Sequence, residues 1–301
     1  MDASGLTVAV IHYQTPDLLE ACLDRLLPAA GGARVLVVDA SDSSPLPHDW
    51  SRPGVELLRV PNRSFSYAVN QALAECRTPY FVHLNADVFV EPYTLKDLLA
   101  VLRSDRTVGM AGPLALDGSG RLQDQGVPYR LWQYLTAHVP AAGWLHAAAG
   151  HGRALHAVRV PWLSGCLQAV SMEAVAAAGS LDEALRFTNE DSEWCLRLRA
   201  HGYGCALVDT AVVHLGGSST PSDPAFLVEG LRGGMVVSRR HAAAWRAELQ
   251  RLAVWGWASL ASVFARTAER RAAARTVQTM FRERDFNRPV FGETLAERLL
   301  P

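Results

Sequence analysis

The sequence has few cysteines, almost no net charge and no apolar run long enough to cross a bilayer. Its 301 residues include five cysteines, none in a paired short spacing. That usage argues against a disulfide framework or a zinc site and predicts reduced thiols in a cytosolic protein. The formal net charge is -1, so there is no global basic signature for nucleic acid. No basic stretch followed by a long apolar one opens the chain, and no signal peptide is expected. The longest apolar stretch, from about Leu252 to Ala265, is broken by Gly256 and two serines and is too short to span a membrane. The expectation is a protein that is soluble or rests on a membrane surface.

What is present is a large apolar fraction, 49% of residues, enough for a sizeable core. The length suits one large domain or two smaller ones. Charge is uneven: from Phe226 to the end there are 13 arginines against 7 acidic residues. A basic tail of this kind reads equally as a solvated helical face or as a face meeting an anionic surface.

Strand-like and helix-like patterns alternate along the first hundred residues. Leu6–Tyr13, Arg34–Val38, Val55–Val60 and Tyr80–Leu84 read as strands. Asp17–Leu27, Ser66–Cys76 and Thr94–Leu102 carry apolar residues at helical spacing. This alternation predicts an α/β protein with a mostly parallel sheet covered on both faces. The segment 126–159 has no clear period. Val160–Ser171 returns to strand character around Gly165, Asn189–His201 reads as a helix with Asn189 as N-cap, and Leu207–His214 as a last strand. The division expected is a catalytic domain over residues 1–224 and a helical extension over 225–301.

Sheets of this kind bind ligands beyond the carboxyl ends of their strands. Three polar segments lie there: His12 to Thr15, Asp39 to Ser44, and Asn85 to Asp87. Asp39 reads as a partner for a pyrimidine imino group or a ribose hydroxyl, or as a turn-forming residue. Asn85 and Asp87, two apart, would present oxygen ligands on one side for a hard divalent cation. Glu190 and Asp191 open a helix, where acidic residues also serve the helix dipole. A positioned carboxylate there would act as a general base, although the dipole should lower the pKa of Asp191. His214 ends an apolar strand beside two glycines, where neutral imidazole can complete a metal site.

In this order the blocks resemble glycosyltransferase family 2 with a GT-A fold. His12-Tyr13-Gln14-Thr15 stands where the family has Asn-Tyr-Asn-Thr, and Val37-Val38-Asp39-Ala40-Ser41 is similar to Val-Val-Asp-Asn-x-Ser. Asn62-Arg63-Ser64-Phe65 with Asn70 follows, then Asn85-Ala86-Asp87 at the Asp-x-Asp metal motif. Trp162 to Gly165, Leu181 to Glu183 and Asn189 to Arg197 match the later blocks, and His214 matches the histidine that closes the domain. The resemblance covers roughly residues 6 to 218 and is nearest to bacterial rhamnosyltransferase-like enzymes of cell-surface polysaccharide synthesis. Ser64 departs from the family's glycine, and Glu193-Trp194 from its Asp-Leu. The processive Gln-x-x-Arg-Trp motif is absent, which implies addition of one or a few sugars.

The resemblance implies a mixed, mostly parallel GT-A sheet flanked by helices, with a C-terminal helical extension. It implies an inverting transferase that moves a sugar, such as the deoxysugar rhamnose, from a UDP- or dTDP-sugar to an acceptor hydroxyl. Asp191 would be the general base. Asp87 and His214 would hold Mg2+ or Mn2+. His12, Tyr13, Thr15, Asp39, Arg63, Asn70, Asn85, Ala86, Gly165 and Glu190 would line the nucleotide-sugar site. The acceptor would be a carbohydrate, a lipid-linked group or a small molecule, in surface-glycan or glycoconjugate synthesis. Peripheral membrane contact through the basic C-terminal helices, a homodimer and a place at the inner membrane face stay open. Two alternatives remain: a non-catalytic nucleotide-sugar-binding scaffold and a sugar nucleotidyltransferase. The second usually needs a Gly-rich, Lys- or Arg-bearing loop after the first strand, which this chain lacks.

Overall fold

The computed structural model describes residues 5–123, 144–148, 154–216 and 223–299. Strand β1 (Leu6–His12) is buried at all seven positions, as a central parallel strand with both faces covered should be. Helix α1 (Pro16–Ala30) follows. It starts with proline in its first turn, buries Leu19, Cys22, Leu23 and Leu26, and ends on Gly31 in the left-handed conformation. Next come β2 (Arg34–Asp39), β3 (Val55–Arg59), α2 (Phe65–Glu75), β4 (Tyr80–Asn85), β5 (Val88–Val90), α3 (Thr94–Ser104) and β6 (Val108–Leu116). Then follow β7 (Trp144–Ala148), β8 (Ala154–Val160), β9 (Leu167–Ser171), α4 (Met172–Ala178), α5 (Glu190–Ala200) and β10 (Gly204–His214). Three helices close the chain: α6 (Pro224–His241), α7 (Ala244–Phe264) and α8 (Ala268–Glu283).

The strands form one mixed sheet in the order β3-β2-β1-β4-β9-β6-β10-β8-β7, with β5 paired to β10. The half built from β3, β2, β1 and β4 is parallel. Strand β9 runs antiparallel between β4 and β6, and β6 and β10 are parallel again. Alternation along β1 divides the interior. Leu6, Val8 and Val10 pack with α1 and α3, whereas Ala9 and Ile11 pack with α2 and α5 around Trp194. The Trp194 indole N–H donates to Gly179 O at 2.9 Å, so the largest buried ring leaves no polar atom unpaired. All five cysteines are free and buried.

The structure corrects several sequence readings. The single strand expected over Val160–Ser171 is two, β8 and β9, with Pro161 to Cys166 as a connection between them. Strand β6 escapes a pattern search because Gly109, Gly112 and Pro113 interrupt its apolar run. Asn189 does occupy the N-cap position, but in the left-handed conformation and without a side-chain capping bond. Of the aperiodic segment 126–159, residues 144–148 and 154–159 are strand, and the remainder lies outside the described residues.

A third core, from Val228 to Phe291, joins α6, α7 and α8. Buried Arg232 ties it to the sheet domain, donating to Glu229, to Phe286 O and to Ala184 O. Glu229 in turn accepts the Arg186 backbone N–H at 3.1 Å. Beyond α8 the chain folds back, and Leu295 N–H donates to Asn62 O at 2.9 Å. The C-terminal segment therefore reaches the loop after β3.

Candidate active site

The loops after β1 and β2 are locked together by a buried polar cluster. The Thr15 N–H donates to His12 Nε2 at 3.1 Å. That assigns the ring proton to Nδ1, which donates to Asp39 Oδ1 at 3.1 Å. Asp39 also accepts from the backbone of Ser41 and Leu46 and from Arg59. Burial opposes its charge, but the bonds from His12, Ser41 and Leu46 outweigh that and hold its carboxyl down to about 2. Both oxygens are thus committed within the chain, and Asp39 is 2% exposed. Asp39, His12 and Thr15 shape these loops and do not line the open cavity. Asp42, three residues on, does line it and accepts from Tyr13 and Asn62.

Arg63 and Asn70 also stand outside the cavity lining. Arg63 pairs with Glu293 and lies over the Tyr67 ring at 5.0 Å. Asn70 clasps Leu181, donating to its carbonyl and accepting its N–H, and donates also to the Glu183 carboxylate. Both read as site residues in sequence because their partners, far along the chain, were invisible there.

Strand β4 ends at Asn85, and Ala86-Asp87 forms a turn before β5. The alternation expected of Asn85 and Asp87 as one strand therefore does not apply. Asn85 lines the cavity, while Ala86 is buried with its N–H on Ile11 O. Asp87 meets His214 instead, Oδ1 to Nε2 at 3.5 Å. The orientation of that ring is fixed by a residue the sequence reading missed. His214 Nδ1 and Gln123 Oε1 are 2.7 Å apart, and Gln123 Nε2 donates to His214 O at 2.8 Å. Gln123 must accept through Oε1, so Nδ1 carries the proton and Nε2 presents a lone pair. Burial lowers the His214 pKa, against the pull of Asp87, which keeps the imidazole neutral. A carboxylate oxygen and an imidazole lone pair thus face each other, two groups able to ligate a divalent cation. Among the described residues no third His, Cys, Asp or Glu joins them.

Glu190 and Asp191 open α5 through a strained turn. Thr188 and Asn189 both have positive φ, 58° and 71°, and for β-branched Thr188 that is a costly conformation. Helix α6 holds the turn from behind. Asn189 Nδ2 donates to Gly230 O, and a Cβ at Gly233 would come within 3.2 Å of that same nitrogen. Asp191 Oδ2 accepts the Gly165 N–H at 2.9 Å, and Oδ1 the Ser192 N–H. Burial raises the Asp191 pKa despite these two bonds. The lowering expected from the helix dipole is thus overridden, and the carboxylate is a stronger base than the sequence suggested.

Glu190 is pushed up from 4.5 to about 8, first by burial and then by the Asp191 charge. Among the described residues its Oε2 has no hydrogen-bond partner. Because its folded pKa lies above the unfolded one, Glu190 favours the fold at low pH. That contribution is lost as pH rises from 4.5 to about 8. Glu190→Gln should therefore raise the thermal midpoint in alkaline buffer and leave it unchanged in acid, measured by calorimetry. Equal midpoints for both proteins across the range would contradict a Glu190 that keeps its proton in the folded state.

These groups border one cavity of about 640 Å3, within the usual size of a small-molecule site. Of the residues singled out in the sequence, Tyr13, Asn85, Gly165, Glu190, Asp191 and His214 line it. So do Asp42 and Asn62, from segments the sequence singled out, and Arg186, Phe226, Leu295 and Arg298, which it did not name. Of these residues Phe226, Leu295 and Arg298 come last in the chain. The last three belong to the C-terminal region, which is part of the cavity wall as well as a helical extension. Arg186 is held by the Gly292 and Glu293 carbonyls, and burial lowers its pKa.

Residues 7–152 match the family described as Glycosyl transferase family 2. No curated protein matches the chain. Among solved structures, GalNAc-T7 with UDP, GalNAc and Mn2+ superposes with a TM-score of 0.58 at 16% identity, over 94% of this chain and 55% of that one. S. aureus TarS in complex with UDP-GlcNAc gives 0.58 at 13% identity, over 93% and 80%. The Pyrobaculum calidifontis mannosyltransferase PcManGT with GDP-Man and Mn2+ gives 0.51 at 17%, over 93% and 86%. The chain spans about half the length of GalNAc-T7 and of a longer TarS structure, 55% and 49%. At these identities the likeness is one of fold.

Proposed function

We propose that this chain, with its family 2 match at residues 7–152 on a fold like that of GalNAc-T7, is an inverting, metal-dependent glycosyltransferase. It moves a sugar from a nucleoside diphosphate-sugar to an acceptor hydroxyl. The observation that carries this reading is one cavity bordered by Asp191 and Glu190 and also by His214, whose imidazole faces Asp87. The similar structures that hold UDP or a nucleotide-sugar, two of them with Mn2+, support the same class of ligand.

Tyr13, Asp42 and Asn62 follow the carboxyl ends of β1, β2 and β3, where such sheets receive a nucleoside. Asp87 and His214 would hold Mg2+ or Mn2+, which when bound offsets the charge of a departing diphosphate. Asp191, fixed by the Gly165 and Ser192 amides, accepts the proton of the acceptor hydroxyl. The acceptor oxygen then bonds to the anomeric carbon as the bond from that carbon to the diphosphate oxygen breaks. A single displacement of this kind inverts the anomeric centre. Protonated Glu190 adds no second negative charge where the donor must approach. Residues 1–224 carry the proposed chemistry, and 225–301 complete the wall.

A panel of UDP-, dTDP- and GDP-sugars, including dTDP-rhamnose, tests this reading by nucleotide release with Mn2+ or Mg2+. The expected result is slow metal-dependent hydrolysis of one donor, accelerated by an acceptor alcohol. Tight binding of a donor without any release would instead describe a scaffold.

A further inference from the structure

We propose that the outer face of α7 is a docking surface for an anionic lipid bilayer, lying on the membrane without crossing it. Helix α7 buries Ala247, Gln250 and Ala258 on its inner side. On the opposite side, Trp245, Leu249, Leu252, Leu260, Val263 and Phe264 recur at helical spacing, and all are exposed. Exposure is greatest at the carboxyl end, where Leu260, Val263 and Phe264 reach 64%, 65% and 78%. Single exposed apolar residues are ordinary, but their recurrence on one face from Trp245 to Phe264, over about five turns, marks an interaction face.

Charge decides what covers it. Between residues 239 and 275 there are eight arginines and only two acidic residues, Glu248 and Glu269, in a chain of net charge -1. Arg266, Arg270 and Arg275 are exposed just beyond Phe264. The Arg246 guanidinium lies over the Trp245 ring at 5.1 Å. A second copy of the chain meeting this face would bring two arginine-rich borders together. An anionic bilayer satisfies both features: the stripe enters the acyl boundary, tryptophans sit at headgroup level, and guanidiniums meet phosphates. Among the described residues no helix is long and apolar enough to span, so the contact is peripheral.

Flotation of the full chain on vesicles tests this directly. The protein should rise with vesicles of mixed phosphatidylglycerol and phosphatidylcholine and stay behind with phosphatidylcholine alone. Leu260→Asp with Phe264→Asp should abolish flotation, and Arg266→Ala with Arg270→Ala should weaken it about thirtyfold. All four side chains are exposed, so both double variants should keep their thermal midpoint. The proposal is overturned if the wild type fails to float, or if the arginine variant floats as well as the wild type. It is also overturned if light scattering shows a dimer that Leu260→Asp with Phe264→Asp converts to monomer, since a second copy would then own the face.

Discussion

Asp191→Asn should lower kcat by two to four orders of magnitude, the usual range for removing a general base, with donor affinity nearly unchanged. The amide oxygen can still accept the Gly165 N–H now taken by Oδ2 at 2.9 Å, and only the Ser192 N–H loses its acceptor. What disappears is the proton acceptor. The sign of the electrostatics argues against loss of fold as the cause. Burial raises the Asp191 pKa, so its ionised form works against the folded state as pH rises, and a neutral amide there relieves that. The variant should melt no lower than the wild type at neutral pH. Glu190→Gln is the matched control, because Glu190 already carries its proton below about 8, and it should stay active. If Asp191→Asn turns over normally while Glu190→Gln is dead, the two neighbours have exchanged roles.

Asp87→Ala should cost about a thousandfold in kcat/KM, the rate equivalent of several kcal/mol of charge stabilisation by a metal. It should also erase the dependence on Mn2+ concentration. His214→Ala should do nearly the same. Gln123→Leu should lie between them and the wild type, because it frees the imidazole to choose its other tautomer and outer partners typically contribute about 10- to 100-fold. The order of the three effects is the informative part. Initial rates of nucleotide release across a Mn2+ titration would measure it. An Asp87→Ala enzyme still activated by Mn2+ would place the metal elsewhere.

Which parts of this site could be read from sequence follows from how local their causes are. Strand β1 was legible because a central parallel strand is a continuous apolar run. Glu190, Asp191 and His214 were legible because each sits at the end of an element whose pattern is strong. Asp39 stands outside the cavity lining for a reason the sequence hides. Its residue type and position suit a ligand, but His12, Ser41, Leu46 and Arg59 use its oxygens first. No spacing rule reveals such competition. Arg63 and Asn70 are engaged in the same way, with partners at Glu293 and Leu181. Gln123 carries no motif at all, and its role appears only when the fold brings it to His214 from 91 residues away. Leu295 and Arg298 reach the cavity because the chain returns after α8, which helical periodicity in the tail does not announce.

The most direct measurement is an anomalous difference map from crystals grown with Mn2+ and the nucleoside diphosphate of the active donor. The account predicts a single manganese peak bonded to Asp87 and His214, with the diphosphate against it and the Asp191 carboxylate facing the same cavity. A nucleotide bound elsewhere, or a manganese peak touching neither Asp87 nor His214, would contradict it.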